Sequence, residues 1–168
     1  MLWKLLDICL LRAGPQDLPA SRRFLTLTLA GYMVVNVLVS RLSLGLREAA
    51  VVSLLDTLLL AAFAQVVLRV AARPERFLQT LAALAGTGQL LGLLALPLVA
   101  GLLKAQAAGQ AAAGLALIWL GVLIWSLLVL GHILRHALAV RFVTGVGIGV
   151  LYNLVSIMIM RSVFPGGG

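Results

Sequence analysis

A carboxyl group stands inside a run of leucine and alanine: Asp56, in SLLDTLLLAAFAQ (53–65). A carboxylate in such a place can accept hydrogen bonds, hold a cation or exchange a proton, and each of these needs partners brought to the same spot. Tyr32, Asn36 and Asn153 are the candidate partners, a hydroxyl and two amides that also interrupt apolar runs. No Lys or Arg falls nearby in those runs to pair the charge. A polar cluster of Asp56, Asn36, Tyr32 and Asn153 is therefore expected, serving as a structural clamp or as an ion or proton site. An ionised carboxylate only accepts hydrogen bonds, whereas the protonated acid also donates, and the sequence leaves its form open.

Other reactive residue types are few. His132 and His136 have the one-turn spacing that metal sites use, but no third ligand lies near them in sequence. No metal is expected there, and His132 reads as a hydrated residue beside headgroups. Cys9 is the single cysteine, so no intrachain disulfide can form, and it reads as a small apolar residue. GVGIG (145–149) resembles a dinucleotide loop, but no strand precedes it and it lies in an apolar helix, so no cofactor is expected. There is no nucleophile beside a base, no paired carboxylate motif and no phosphate loop, and an enzyme is not expected.

The elements that must position Asp56 follow from composition. Of 168 residues, 62% are hydrophobic and 11% charged, with a mean hydropathy of +1.14, against about 25% charged in a soluble domain. Five apolar segments recur, at approximately 24–40, 49–72, 77–103, 111–134 and 142–160. Each can cross a hydrocarbon core of about 30 Å as a helix, and all are too long for barrel strands of about 10 residues. With no water in the bilayer core, the backbone must satisfy its own N–H and C=O groups, which again selects helices. The expected fold is an all-α integral membrane protein: a bundle of five transmembrane helices, residues 24–164, preceded by a short amphipathic interfacial helix. Residues 1–23 form that helix and a linker on the cytoplasmic side, and 165–168 a short outside tail.

In MLWKLLDICLLRAG (1–14), Leu2, Trp3, Leu5, Leu6, Cys9 and Leu10 fall on one side of a helical wheel, with Lys4 and Asp7 opposite. Asp7 interrupts the apolar stretch and no small-residue cleavage pattern follows, so a helix in the headgroup plane is expected rather than a secretory signal. GPQDLPAS then reads as a bent linker, with Ser21 placed to cap the next helix. Lys and Arg orient the bundle: counted over alternate ends and connections, nine fall on the amino-terminal side and four on the other. The amino terminus is thus expected in the cytoplasm and the carboxyl terminus outside, in a cell inner membrane. The net charge of +8 is spread singly between apolar runs, so phospholipid rather than nucleic acid is the anionic partner.

This frame puts the polar residues at one level. Asp56 lies about 10 Å below the outer hydrocarbon surface, Asn36 about 6 Å and Asn153 about 10 Å, at 1.5 Å per residue. Thr28, Tyr32, Asn36 and Ser40 share one helical stripe, and Ala49, Ser53, Asp56 and Ala64 share another. Both should face inward, because an ionised group against lipid costs at least about 2.5 kcal/mol. Small residues mark the packing faces: Ala85, Gly88, Gly92 and Ala95 in the third span, and the pair Gly145 and Gly149 in the fifth. Pro97 removes a helical hydrogen bond and is expected to kink the third span. Trp119 and Trp125 lie well inside the fourth span, as core or lipid-facing bulk.

In TLAALAGTGQLLGLLALP (80–97), WLGVLIWSLLVLGHILRHAL (119–138) and GVGIGVLYNLVS (145–156), the placement of Leu, Gly, Pro and Trp resembles bacterial members of the Yip family, small five-span membrane proteins with a Yip domain. The resemblance implies an inner-membrane protein and brings no catalytic residue with it. Eukaryotic members contact small GTPases and carry a cytoplasmic Asp-Leu-Tyr-Gly-Pro motif. The nearest segment here, GPQDLPAS, lacks its Tyr-Gly-Pro part, so that partner does not carry over. The function expected is non-enzymatic, through protein or lipid contacts: membrane organisation, or a subunit of a membrane complex. Partners are the bilayer and a membrane protein or second copy of the chain. The alternative is a small transporter or exporter component using the polar cluster around Asp56.

Overall fold

Small side chains decide how closely these helices approach, and the computed structural model, which describes residues 2–163, shows where they do so. Six α-helices occur among the described residues: α1 (Leu2–Cys9), α2 (Arg22–Ser40), α3 (Leu46–Val70), α4 (Phe77–Ala107), α5 (Ala113–Leu138) and α6 (Phe142–Val163). Short 3₁₀ turns, Pro15–Asp17 and Pro74–Arg76, precede α2 and α4, and no strand occurs among the described residues. Helices α2 to α6 are each long and apolar enough to cross a membrane. The expected outside tail, 165–168, lies outside the described residues.

Helix ends differ from the ends of the apolar runs, for a physical reason. The run in α4 stops at Lys104 and that in α5 at Arg135, yet the helices continue to Ala107 and Leu138. A charged residue ends a hydropathic stretch without ending a helix, since Lys, Arg and Ala are all good helix formers. What ends α3 and α5 is a left-handed residue, Ala72 (φ 56°) and Ala139 (φ 55°). Each lets the next amide fold back, Arg73 N–H onto Leu68 C=O (2.8 Å) and Val140 N–H onto Arg135 C=O (3.1 Å). At the start of α2, Ser21 occupies the cap position with extended backbone, but its hydroxyl makes no cap bond.

Glycines seat α2 on α4 and α6 on α5. A Cβ on Gly92 would lie 2.8 Å from the Val35 side chain, and one on Gly88 2.7 Å from the Tyr32 ring. A Cβ on Gly145 would collide with the carbonyl oxygen of Gly131, and one on Gly149 would lie 2.9 Å from Leu130. Ala85 and Ala95 are buried on the same side of α4. Helix α4 runs through Pro97 without a break.

The core is unevenly spread along the bundle. In α4 the buried residues run from Thr80 to Thr87, with only Ala95 beyond, and in α5 they begin at Val129 and run to Leu138. In α6 they are Gly145 and Gly149. Packing is thus concentrated at the end where α2, α4 and α6 begin, called here the amino-terminal end. At the far end α5 and α6 expose most of their side chains, and α4 leaves most of its own only partly buried.

Candidate functional site

The buried face of α3 carries Ala49, Ser53, Leu60 and Ala64, and Asp56 completes a series spaced three or four residues apart. Across from it α2 presents Tyr32 and Asn36, one turn apart. Tyr32 Oη donates to Asp56 Oδ2 at 2.6 Å, and Asn36 Nδ2 donates to the same oxygen at 2.9 Å. Gly88 makes this arrangement attainable, because the Tyr32 ring rests where any larger residue of α4 would place its Cβ.

Asn153 does not join them. Its Nδ2 donates to Gly149 C=O, 2.9 Å away on its own helix. Helix α6 meets α3 instead through Tyr152, whose ring lies 4.4 Å from that of Phe63. The next residue points about 100° around the helix, away from Asp56. Depth therefore placed Asn153 at the right level, and the helix face turned it elsewhere.

Tyr32, Asn36 and Asn153 nonetheless line one open cleft of about 240 Å³, with Tyr152 and, from α5, Trp119 and Ser126. Leu60, Leu91 and Val129 supply apolar wall. Chemically the cavity offers hydroxyl, amide and indole groups, with a carboxyl group one hydrogen bond behind them. It can hold a small polar or amine-bearing molecule by hydrogen bonds. Among the described residues no group of three or more His, Cys, Asp or Glu is placed to hold a metal ion.

A second polar constellation fastens the amino-terminal segment to the bundle. Trp125 Nε1 donates to Cys9 C=O at 3.1 Å, and Gln79 Nε2 to Leu18 C=O at 2.7 Å. His132 Nε2 lies 2.9 Å from Ala13 C=O and must carry a proton there, since a carbonyl only accepts. His132 is 2% exposed, so it is a buried anchor and not the hydrated residue expected beside headgroups. The run Trp125 to His132 spans two turns of one α5 face, and this i, i+7 spacing of two ring N–H groups was the available sequence signal. Leu5, Ile8 and Cys9 bury against the bundle, with Leu5 in the space left by Gly86. Burial pushes the Cys9 thiol from its ordinary value up to about 11. Leu2, Trp3, Leu6 and Leu10 stay exposed, Trp3 at 79%. The apolar side expected of this helix is therefore divided between protein and surroundings.

These features define an all-helical bundle whose five long apolar helices fit a multi-pass membrane protein, with an open, largely apolar cleft that carries a few polar groups. No family model matches the chain, and no curated protein and no solved structure matches it.

Proposed function

We propose that the protein is a non-enzymatic integral inner-membrane protein of the Yip-domain kind, with a cytoplasmic amino terminus, acting through lipid and protein contacts to organise the membrane around it. The observation that supports this most is α1. Three side-chain anchors from α4 and α5 hold it and its linker in place, yet it leaves Leu2, Trp3, Leu6 and Leu10 uncovered. A helix serving the core alone has no use for such a row, whereas one at the headgroup boundary inserts it among acyl chains. The nine basic residues on the same side of the bundle favour an anionic leaflet.

In proteoliposomes, spin labels at Trp3 and Leu10 should be relaxed by membrane-dissolved oxygen, and a label at Asp7 by an aqueous nickel chelate. A Trp3→Ser/Leu10→Ser double variant should form vesicles of different size from those of the parent chain. Aqueous access at all three sites, together with unchanged vesicles, would reject the reading.

A second reading, a transporter or exporter component, draws on the cavity beside Asp56. Packing alone accounts for the Tyr32–Asp56–Asn36 contacts but not for an open cleft with polar groups on its wall next to them. Under this reading Asp56→Asn folds normally and abolishes a proton-coupled flux, and a purified protein that moves no ion or amine in liposomes removes it.

A further inference from the structure

Beneath the linker, at the amino-terminal end, lies a pocket of about 260 Å³ lined by Gln16, Arg76, Gln79, Thr80 and His136. Thr80 is 0% exposed, and its Oγ1 is the buried side-chain oxygen or nitrogen that has no hydrogen-bond partner among the described residues. Leaving a buried hydroxyl unpaired costs about 1–3 kcal/mol, so its placement on the wall of an open space points to something that fills the space. The space is several times the roughly 30 Å³ that one water takes up in the liquid.

Of the groups around the pocket Arg76 only donates, Thr80 and the Gln16 and Gln79 amides can donate as well as accept, and the Asp17 carboxylate of the overlying turn is taken up by Gly14 N–H at 2.8 Å. Arg76 uses Nη1 to bond the carbonyls of His136 (2.8 Å) and Ala137 (3.1 Å), which satisfies the end of α5 and fixes the guanidinium at the pocket. That leaves Nη2 without a hydrogen bond to the described residues. Glu75 approaches Nε at 3.9 Å from the solvent side, 68% exposed, and offsets only part of the charge. Helix α4 begins at Phe77, whose amide is already bonded to Pro74 C=O in the 3₁₀ turn that leads into it. Thr80 stands in the first turn of α4, and an anion in the pocket would meet its hydroxyl and the Arg76 guanidinium together.

We propose that this pocket binds a phosphate group, with Thr80 Oγ1 and Arg76 Nη2 as its donors and the Pro15–Asp17 turn as its roof. The proposal goes beyond the lipid-contact reading, which α1 supports without it. The phosphate can belong to a phospholipid headgroup or to a free anion, and the chemistry of recognition is the same.

Native mass spectrometry of the detergent-solubilised full chain separates these sources, using phosphatidylglycerol, a phosphate-free glycolipid with the same acyl chains, and inorganic phosphate. One phosphate-bearing adduct per chain is expected, held about tenfold more weakly by Thr80→Val and restored by Thr80→Ser, in line with a hydrogen bond to a charged acceptor. Retention of phosphatidylglycerol but not glycolipid assigns the headgroup, and retention of inorganic phosphate alone assigns a free anion. Gln16→Ala, on the exposed turn and clear of the core, removes an amide that lines the pocket and can donate to the phosphate, so binding should weaken several-fold, a result available even if the Thr80 variants fold poorly. Equal binding by parent and variants, equal retention of glycolipid and phosphatidylglycerol, or no adduct at all overturns the proposal.

Discussion

The two ends of the bundle are built from the same helices and the same residue types, yet they pack differently. At the amino-terminal end, glycine meets backbone: Gly145 sits on the carbonyl of Gly131, and Gly86 receives Leu5. The first turns of α4 and the last of α5 are buried there, and α1 with its linker closes the seam between them. At the far end Gly114 and Gly121 have nothing within 4 Å of a would-be Cβ. Glycine content thus says little about contact. A glycine contributes close packing only where a neighbouring helix supplies backbone or a side chain to fill the space it leaves.

Substituting across the two ends tests this contrast, and the largest effect belongs to Gly145. Gly145→Ala puts a methyl group against the Gly131 carbonyl and within 3.0 Å of the Arg135 amide nitrogen. Backbone cannot swing aside as a side chain can, so α5 and α6 must part, at a cost of about 3 kcal/mol. Thermal unfolding in detergent should show the loss. An unchanged midpoint would mean that the amino-terminal end is no tighter than the far one.

Next in size is Asp56, midway between the ends. Asp56→Leu leaves Tyr32 Oη and Asn36 Nδ2 without their shared acceptor, a destabilisation of about 2 kcal/mol. Asp56→Asn keeps an acceptor oxygen and should retain most of the stability. If both variants unfold like the parent, the α2–α3 contact carries no weight and the bundle is held at its amino-terminal end alone.

How much of this was legible beforehand depended on the kind of signal. The five long apolar helices announced themselves, because apolar length is written directly in the sequence and a helix is the backbone solution such a run favours. Tyr32, Asn36 and Asp56 were identifiable by depth and face together. Asn153 shows the limit: depth is a count along one helix, whereas facing depends on how α6 is rotated against α3, which the Tyr152–Phe63 stack sets. The anchors of α1 were hidden for a different reason. Trp125 and His132 bond to backbone carbonyls of Cys9 and Ala13, and a carbonyl acceptor leaves no trace in residue type. Helix ends closed by Ala72 and Ala139 escaped notice likewise, since glycine is the usual marker of a left-handed cap.

A smaller effect is expected where α1 meets the bundle. Trp125→Phe keeps the ring bulk and removes the indole N–H that bonds Cys9 C=O. Hydrogen bonds between membrane helices average about 0.6 kcal/mol, which corresponds to roughly threefold more frequent opening. Cys9, 8% exposed, reports that opening directly through its rate of alkylation at fixed pH. Its thiol titrates near 11, above its ordinary value of about 9. Proton binding is then tighter in the folded chain, so the stability from burying the neutral thiol is full below about pH 9 and is lost as pH rises through about 11. Alkylation should accordingly climb steeply across that window in the parent chain and start earlier in Trp125→Phe. Identical profiles would show that α1 is held by its buried leucine and isoleucine and not by the indole.

The smallest effect is expected at Gly121, and its smallness is informative. Gly121 lies on the exposed surface of α5 at the far end, with open space where a Cβ would go. Gly121→Ala meets no clash and gains helix propensity, so the detergent-solubilised chain should unfold within about 0.5 kcal/mol of the parent or slightly above it. The same comparison made in native membranes carries more meaning. If Gly121→Ala is neutral in detergent but weakens co-purification of a partner or of a second, differently tagged copy, then the glycine is kept small for a helix from another molecule, and the far end is loosely packed because its contacts are intermolecular. If it is neutral in both settings, the exposed faces of α4, α5 and α6 meet lipid alone, and the contrast between the ends is one of internal packing only.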